Sequence, residues 1–236
     1  MNDIKDISII TGGSRGIGRA IAIKLAEQGH DVIIFGRDET SLKKVCEELK
    51  NLGSNSEYFS GDVIDEKFVQ DSIEKIYLKY GKIDHLINNA GIGVFKKFVD
   101  SSLEDFKKQV DVNLFGVYNF TKAVINGMIE RKQGSIINIA SLAGKNSFIG
   151  GTAYSATKHA LLGFTRSLML EVREYNIRVA SICPGSVDTE FSTNGRTIPH
   201  KKNILRPEDV AETVFSIIKM PARALVSEID IRPTNP

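Results

Sequence analysis

Short apolar runs alternate with longer amphipathic stretches along most of the chain. The runs are near-continuously apolar, which is typical of parallel strands covered on both faces. They lie at residues 7–10, 32–35, 83–87, 136–139 and 179–182. The amphipathic stretches predict helices at residues 19–28, 39–52, 66–80, 103–128, 153–175 and 207–219.

The order of these elements predicts an α/β fold. Strand and helix alternate from end to end, so we expect right-handed βαβ units that build a doubly wound parallel sheet. No linker, repeat or low-complexity tract divides the chain, which predicts a single domain over residues 1–236. Residues 186–206 have little apolar periodicity and hold Gly195, Pro199 and a basic run, which predicts a lid over a site.

Composition narrows the class of protein. A chain of 236 residues with 42% hydrophobic residues can bury a sizeable core, which excludes a disordered or fibrous protein. The net charge of +2 lacks the basic excess that is typical of nucleic-acid binding. With no secretory signal and no apolar run of about 18 residues, the expected location is the cytoplasm, without a membrane partner.

The two cysteines carry no signal for a metal or a disulfide. Cys46 and Cys183 lie far apart and form no CxxC or Cys/His cluster. We expect two buried, reduced thiols, and the sequence predicts no metal site.

A glycine-rich turn follows the first predicted strand directly. Its sequence, Thr-Gly-Gly-Ser-Arg-Gly-Ile-Gly at residues 11–18, leads straight into the first helix. Glycines let a backbone turn sharply and approach a diphosphate, whose charge then lies on the free N–H groups of the helix N-terminus. The turn therefore predicts a dinucleotide site.

The end of the second strand indicates which dinucleotide is bound. An NAD site usually has an acidic side chain there for the ribose hydroxyls, but this chain has Gly36 and Arg37. Arg15 adds a second cation within the glycine turn. Two guanidinium groups suit a 2′-phosphate, so we predict NADP(H) as the cofactor. Asp38, which follows Arg37, is interpreted as the N-cap of the next helix.

A tyrosine and a lysine lie one turn apart in the predicted helix 153–175. The i, i+4 spacing of Tyr154 and Lys158 places the phenol and the ammonium on one helix face. Free tyrosine ionises near pH 10, so its pKa must fall by about three units before it exchanges protons easily at neutral pH. A nearby ammonium and an oxidised nicotinamide ring would both lower it.

Taken together, these motifs resemble the short-chain dehydrogenase/reductase family. The resemblance rests on the TGxxxGxG turn, Asn88-Asn89-Ala90-Gly91, Asn113, Ser141, the YxxxK pair and Pro184-Gly185, in order over nearly the whole chain. It implies a Rossmann fold in which one domain binds both cofactor and substrate.

The resemblance implies a role for each catalytic position. Tyr154 is the general acid of carbonyl reduction, and Lys158 lowers its pKa and holds the nicotinamide ribose. Ser141 hydrogen-bonds the substrate carbonyl, and Asn113 holds a water that links Lys158 to solvent. The implied cofactor contacts are Gly12, Ser14, Arg15, Gly16, Ile17, Gly18, Arg37, Asp62, Val63, Asn89, Ala90, Gly91, Tyr154, Lys158, Pro184, Gly185, Val187 and Thr189.

The substrate stays open between two classes of carbonyl compound. The resemblance favours a 3-oxoacyl thioester carried on acyl carrier protein or CoA. Cations that could dock an acidic carrier are Arg131, Lys132, Arg173, Arg196, His200, Lys201 and Lys202, although they could equally be solubilising surface charges. The C-terminal Ile-Arg-Pro-Thr segment instead looks like sepiapterin-type or general carbonyl reductases. A non-catalytic NADPH-binding sensor is a remote alternative.

Two long helices predict self-association. Residues 103–128 and 153–175 are apolar on more than one face, so one face can meet the sheet while another is left over. Such surfaces are usually buried against a symmetry mate, which predicts a homodimer or a homotetramer.

Overall fold

Among the residues that the structure describes, seven strands form one parallel sheet at the centre of the fold. The structure, a computed structural model, describes residues 5–193 and 204–234. The strand order is β3-β2-β1-β4-β5-β6-β7. The strands are β1 (Ile7–Thr11), β2 (Asp31–Gly36), β3 (Glu57–Ser60), β4 (His85–Asn88), β5 (Gly134–Ile139), β6 (Ile177–Pro184) and β7 (Glu228–Ile231).

Helices cover both faces of this sheet, which confirms the doubly wound α/β fold. They are α1 (Gly16–Glu27), α2 (Glu39–Asn51), α3 (Glu66–Tyr80), α4 (Leu103–Val110), α5 (Gly116–Arg131), α6 (Thr152–Val172), α7 (Glu190–Thr193) and α8 (Pro207–Ile218). Across the described ranges, none of the helices is both long enough and apolar enough to cross a membrane.

The apolar pattern does not single out the two outer strands. Both β3, with the sequence Glu-Tyr-Phe-Ser, and β7, with Glu-Ile-Asp-Ile, lie at the edges of the sheet and are mostly half-buried. An edge strand is covered less completely than a central one, so it carries polar residues and lacks the continuous apolar run of the inner strands.

The predicted helix over residues 103–128 is wrong as a single helix. A π-helical segment at Asp111–Phe115 separates α4 from α5. This wider turn contains the fully buried Asn113. The side chain of Asn113 is hydrogen-bonded to the backbone of Ile92 and to the hydroxyl of Thr157. These tertiary hydrogen bonds compensate for the irregular turn, and π-turns of this kind frequently mark functional sites.

Two apolar layers hold the helices against the sheet. On one face α1, α2 and α8 bury side chains such as Ile21, Leu42 and Val214 against alternate residues of the strands. On the other face α3 and α5 bury Ile73 and Phe120 in the same way. Strand side chains alternate between the faces, so every inner strand contributes to both layers.

Local capping fixes where several helices begin. Asp38 accepts a hydrogen bond from the backbone N–H of Ser41, which confirms it as the N-cap of α2. Asp65 caps α3 in the same manner, and Ser102 begins α4 with a reciprocal capping box. Each such cap satisfies backbone donors that would otherwise have no partner.

The segment predicted as a lid is described only in part. Residues 194–203, including Gly195 and Pro199, lie outside the described ranges. On either side of this gap, Val187 and Leu205 form a parallel β-bridge, and α7 follows the first of them.

Both cysteines are buried free thiols, as the sequence predicts.

The sheet reverses its direction of winding between β1 and β4, which are neighbours although they are far apart in sequence. In open α/β sheets, ligands bind outside the carboxyl ends of the strands at such a switch point. The topology therefore places a site where β1 and β4 end.

Removing a large buried ring should destabilise the fold. Phe120 is fully buried and packs edge-on against Phe35, with ring centroids 4.8 Å apart. Phe120→Ala should lower the free energy of unfolding by about 3–5 kcal/mol in urea denaturation, since it leaves a cavity in the core. Leu78→Ala, at a side chain 81% exposed on α3, is the control and should change it by less than about 0.5 kcal/mol. Similar effects from both would contradict this view of the core.

Candidate active site

The glycine turn after β1 adopts a shape that side chains would obstruct. Gly12 and Gly16 have φ angles of 67° and 54°, in the left-handed region that favours glycine. A Cβ on Gly18 would lie 2.2 Å from the carbonyl oxygen of Gly12, so helix and turn approach more closely than any other residue allows. The result is a bare backbone surface at the start of α1.

A set of hydrogen bonds joins this turn to the end of β4. The hydroxyl oxygen of Thr11 accepts hydrogen bonds from the backbone N–H groups of Asn89 and Ala90, at 3.0 and 2.9 Å. The side-chain amide of Asn89 donates to the carbonyl oxygens of Thr11 and Gly12, at 2.9 and 3.2 Å. Hydrogen bonds therefore connect the ends of β1 and β4 at the switch point.

The first turn of α1 fits the diphosphate of a dinucleotide. Its N-cap residue, Arg15, makes no side-chain capping bond, and the turn holds no acidic residue. The N–H groups of Ile17 and Gly18 are thus not capped by the Arg15 side chain, and the helix dipole favours an anion there. The backbone between Gly12 and Gly18 could hold the cofactor diphosphate, beside the half-buried Ser14.

Both predicted phosphate-binding arginines lie at this rim, and each is paired with a carboxylate. The guanidinium of Arg37 lies 3.8 Å from a carboxylate oxygen of Asp62. Arg15 is exposed and forms an ion pair with Glu190 of α7. Solvent-exposed pairs of this kind contribute about 0–1 kcal/mol, so either arginine can exchange its partner for a phosphate at little cost.

A cleft of about 590 Å³ opens beside Arg37 and Asp62. Ile64 and Val112 provide apolar lining, while Lys107 and Lys108 of α4 add cations. Its position past the ends of β2 and β3 suits the adenosine half of a dinucleotide.

The tyrosine and the lysine of the YxxxK pair face the same interior space, as their spacing predicts. The ammonium of Lys158 lies 5.8 Å from the centre of the Tyr154 ring, and both side chains are buried. Lys158 donates to the carbonyl oxygen of Ile139 at 2.9 Å, at the end of β5. The side chain of Ser141 lies beside the Tyr154 hydroxyl, and Ser141 also begins the short 3₁₀ turn after β5.

Burial shifts the pKa values of this pair in opposite directions. Removal from water raises the pKa of Tyr154 to about 12, although the neighbouring Ser141 side chain acts to lower it. The same cause lowers the pKa of Lys158 to about 8, because the ammonium is the charged form of that group. In the cofactor-free chain, desolvation therefore outweighs the lowering of the tyrosine pKa that the sequence predicts.

The π-turn brings Asn113 to the same space. Its side-chain oxygen accepts a hydrogen bond from the N–H of Ile92 at 2.8 Å, and its amide donates to the carbonyl oxygen of Ile92 and to Thr157. A Cβ on Gly91 would lie 3.3 Å from the Asn113 oxygen and 3.8 Å from the Lys158 nitrogen. Asn113 and Lys158 thus border one small region beside Gly91.

A buried polar network supports the site from beneath, and sequence reasoning missed most of it. Asn88 donates to Asn138 at 2.9 Å and to Thr121 at 3.3 Å, and Asn138 donates to Thr165 at 2.8 Å. These bonds connect the ends of β4 and β5 with α5 and α6. An Asn within the apolar run at residues 136–139 was the available signal, because a buried amide requires partners.

Aromatic side chains enclose the ring of Tyr154. Phe95 meets it edge-on at 5.3 Å between centroids, and Phe191 of α7 lies 5.8 Å away. Phe148 packs against Phe95 at 5.8 Å. Phe191 lies within residues 186–206, the segment that the sequence predicts as a lid over the site. The space over the tyrosine is therefore walled by apolar rings.

The remaining predicted cofactor positions lie around the same carboxyl edge. Thr189 lies against Gly16, since a Cβ there would be 3.3 Å from its methyl group. Val63 is buried and packs under Gly116, and its carbonyl oxygen accepts from Asn119. The others are Ala90 and Gly91 after β4, Pro184 at the end of β6, and Gly185 and Val187 beyond it.

The cations expected to surround the mouth lie elsewhere or outside the described ranges. Arg131 ends α5 and donates to Asp84 and to the carbonyl oxygen of Ile83, at the amino edge of the sheet. Lys132 and Arg173 lie just before β5 and β6, at that same edge. Helices antiparallel to the strands must end there, so these three are remote from Tyr154. Arg196, His200, Lys201 and Lys202 are not among the residues described.

Comparison with protein families assigns most of the chain. The family described as short chain dehydrogenase matches residues 6–198. An uncharacterized oxidoreductase of Staphylococcus saprophyticus is 35% identical over 235 residues, covering 99% of this chain and 100% of its own length.

Solved structures of similar proteins share the fold over nearly its full length. An alcohol dehydrogenase from Thermococcus sibiricus, complexed with 5-hydroxy-NADP, is 31% identical with a TM-score of 0.90, covering 98% of this chain and 97% of that one. The actinorhodin polyketide ketoreductase with NADPH is 29% identical with a TM-score of 0.90, covering 97% and 96%. Serine dehydrogenase from Escherichia coli is 31% identical with a TM-score of 0.87, covering 98% and 99%.

Removing the Tyr154 hydroxyl tests the centre of this site. Tyr154→Phe should lower kcat by about 100- to 10,000-fold, as expected for loss of a general acid, while the Kd for NADPH changes little. Turnover is followed by NADPH absorbance and binding by fluorescence titration. Tyr175→Phe, at a half-buried tyrosine after α6, is the control and should retain normal turnover. Normal turnover in Tyr154→Phe would rule out the assigned role.

Proposed function

The chain belongs to the short-chain dehydrogenase family, and on that premise we propose that it is an NADPH-dependent reductase that converts a ketone or an aldehyde into an alcohol. The observation that carries this proposal is the arrangement of the buried Tyr154 and Lys158 beside the half-buried Ser141 at the carboxyl edge of the sheet. Tyr154 faces a space walled by apolar rings, where a carbonyl compound would be shielded from water.

Several features support NADP(H) as the cofactor. The glycine turn and the uncapped start of α1 suit the diphosphate, and the cleft beside Arg37 suits the adenosine. Arg37 and Arg15 are the donors for a 2′-phosphate, since each can leave its exposed carboxylate partner. Three of the similar structures are described as complexes with NADP, NADPH or NADP⁺. When bound, this cofactor supplies the hydride.

The chain's own residues would position the substrate and supply the proton. The hydroxyls of Ser141 and Tyr154, which lie beside each other, would both donate to the carbonyl oxygen. Tyr154 would then transfer its proton to that oxygen as negative charge develops there. A tyrosine pKa of about 12 keeps the group protonated at neutral pH, which suits an acid in the reductive direction.

Lys158 would resupply that proton, in a region that Asn113 helps to form. A lysine pKa of about 8 lets the amine exchange protons near neutral pH. Because Asn113 and Lys158 border the same region beside Gly91, a water held there would connect the lysine to solvent. The side-chain oxygen and nitrogen of Asn113 are already bonded to Ile92 and Thr157, so we propose that it acts by holding this region open.

The site favours a compact apolar carbonyl compound over a thioester delivered by a carrier protein. Phe95, Phe148 and Phe191 form its walls, and each presents an aromatic ring rather than a charge. Three of the cations that carrier docking would require lie at the opposite edge of the sheet. The 3-oxoacyl thioester, which the sequence resemblance favours, becomes the second candidate, and it is supported by a polyketide ketoreductase among the similar structures.

We also propose a cytoplasmic homodimer or homotetramer. Phe115 and Tyr118 on the outer side of the π-turn and α5 are 52% and 48% exposed, and Leu170 on α6 is 57% exposed. These apolar side chains are the surplus faces that the sequence predicts. Light scattering after size-exclusion chromatography decides the question, and a monomeric mass would exclude this assembly.

The cofactor preference depends on Arg37. Arg37→Ala should raise the KM for NADPH by about 10- to 100-fold and leave the KM for NADH unchanged, because only NADPH carries the phosphate. Steady-state kinetics with each cofactor measures this. Arg19→Ala is the matched control, since Arg19 of α1 is a partly exposed arginine that pairs with Glu48 of α2 at 2.6 Å. An equal loss with both cofactors would contradict the assignment.

A panel of carbonyl compounds separates the two substrate classes. NADPH oxidation is measured with an aromatic aldehyde, a diketone, a pterin and an acetoacetyl thioester. We expect higher kcat/KM for the compact apolar compounds, and Phe95→Ala should raise their KM by removing one wall. Activity on the thioester alone would replace the first candidate by the second. No activity on any of the four would count against the reductase.

A further inference from the structure

Three metal-ligating side chains meet at the amino edge of the sheet, opposite the catalytic edge. Asp6 precedes β1, His30 precedes β2, and His85 begins β4. Because β1 pairs with β2 on one side and β4 on the other, residues at the starts of these strands become neighbours. The three are remote in sequence, and no spacing motif links them.

Their ligand atoms lie within reach of a single ion. One ring nitrogen of each histidine and a carboxylate oxygen of Asp6 all lie within 4.8 Å of one another. Nε2 of His85 is 3.3 Å from the Asp6 oxygen, and two ligand atoms of a tetrahedral zinc ion are separated by about 3.3 Å. Small side-chain rotations would bring the third ligand to the same distance.

The second ring nitrogens of the two histidines differ in their support. His85 is only 6% exposed, and its Nδ1 is buried without a partner among the described residues. Nδ1 of His30 is bonded to the hydroxyl of Ser8 at 2.9 Å, a contact that can fix the ring and its tautomer. Metal-binding histidines commonly have such a support on the second nitrogen.

Access also suits a cation. The Asp6 side chain is 45% exposed, so the cluster opens to solvent on that side.

Two cations and one carboxylate lie next to the cluster. Lys82 approaches the other oxygen of Asp6 at 3.7 Å, but its closer partner is Asp84 at 2.8 Å. Asp84 is also paired with Arg131 at 3.0 Å. The ammonium of Lys82 is thus held mainly by Asp84, and the Asp6 oxygen that faces His85 stays directed into the cluster.

We propose that Asp6, His30 and His85 form a binding site for a divalent transition metal of the zinc class. Two imidazoles and one carboxylate favour Zn²⁺ over Mg²⁺ or Ca²⁺, which prefer ligand sets made entirely of oxygen. Three protein ligands leave a fourth position for water, and the half-exposed Asp6 provides the entry path.

The site acts on the fold and not on the reaction. The five residues of β1 separate it from the glycine turn, a distance of about 16 Å along the strand. A metal there would join the starts of three adjacent strands. Two of these strands, β1 and β4, end at the glycine turn and beside it. Binding to the folded chain alone stabilises that chain in proportion to metal concentration.

Zinc titration of untagged protein, stripped with EDTA and then dialysed, tests the proposal. Calorimetry should show one Zn²⁺ per chain, and zinc should raise the melting temperature. His30→Gln and His85→Gln should each weaken binding at least tenfold and abolish the zinc-dependent rise. Co²⁺ serves as a coloured probe, whose strong visible absorption reports four-coordinate binding.

His159→Gln is the control, because His159 is exposed on α6 and should leave zinc binding unchanged. If the two histidine variants fail to fold, Asp6→Asn at the half-exposed ligand replaces them. The absence of stoichiometric zinc binding would overturn the proposal, as would equal affinity in the ligand variants. If the cluster serves only structure, the ligand variants would lower the melting temperature equally with and without zinc, which would also overturn the proposal.

Discussion

The close approach of the glycine turn to the end of β4 is the constraint on which the rest of the structure depends. The Thr11 hydroxyl accepts hydrogen bonds from two backbone N–H groups of the segment after β4, and the Asn89 side chain donates two hydrogen bonds to the turn. Gly18 permits the contact because any side chain there would collide with the turn. This junction fixes the switch point of the sheet, and the proposed cofactor and substrate residues are arranged around it.

Burial governs the chemistry of the candidate site. Tyr154 and Lys158 are withdrawn from water together, so the pKa of the acid rises and the pKa of the base falls. The two groups, whose pKa values are nearly equal in water, therefore become separated in proton affinity, and the phenol holds its proton more tightly than the ammonium does. The same apolar walls that cause these shifts, among them Phe95 and Phe191, would also enclose a substrate.

The carboxyl edge and the amino edge of the sheet carry different chemical groups. Bare backbone N–H groups, glycines and the Tyr154 site lie at the carboxyl edge. The amino edge instead holds the paired charges of Arg131, Asp84 and Lys82 and the cluster of two histidines and an aspartate. Parallel strands make this separation possible, because all their carboxyl ends point the same way. Stability and catalysis can therefore change independently.

The sequence by itself determined the order of the inner strands and helices, the glycine turn and the Tyr154–Lys158 pair. Those features are local, since they follow from apolar periodicity and from spacing within one element. The tertiary structure decided the π-turn at Asn113, the aromatic walls, the opposite location of Arg131, and the meeting of Asp6, His30 and His85. Each of these depends on contacts between residues far apart in the chain, and no local pattern encodes which distant partners a fold brings together.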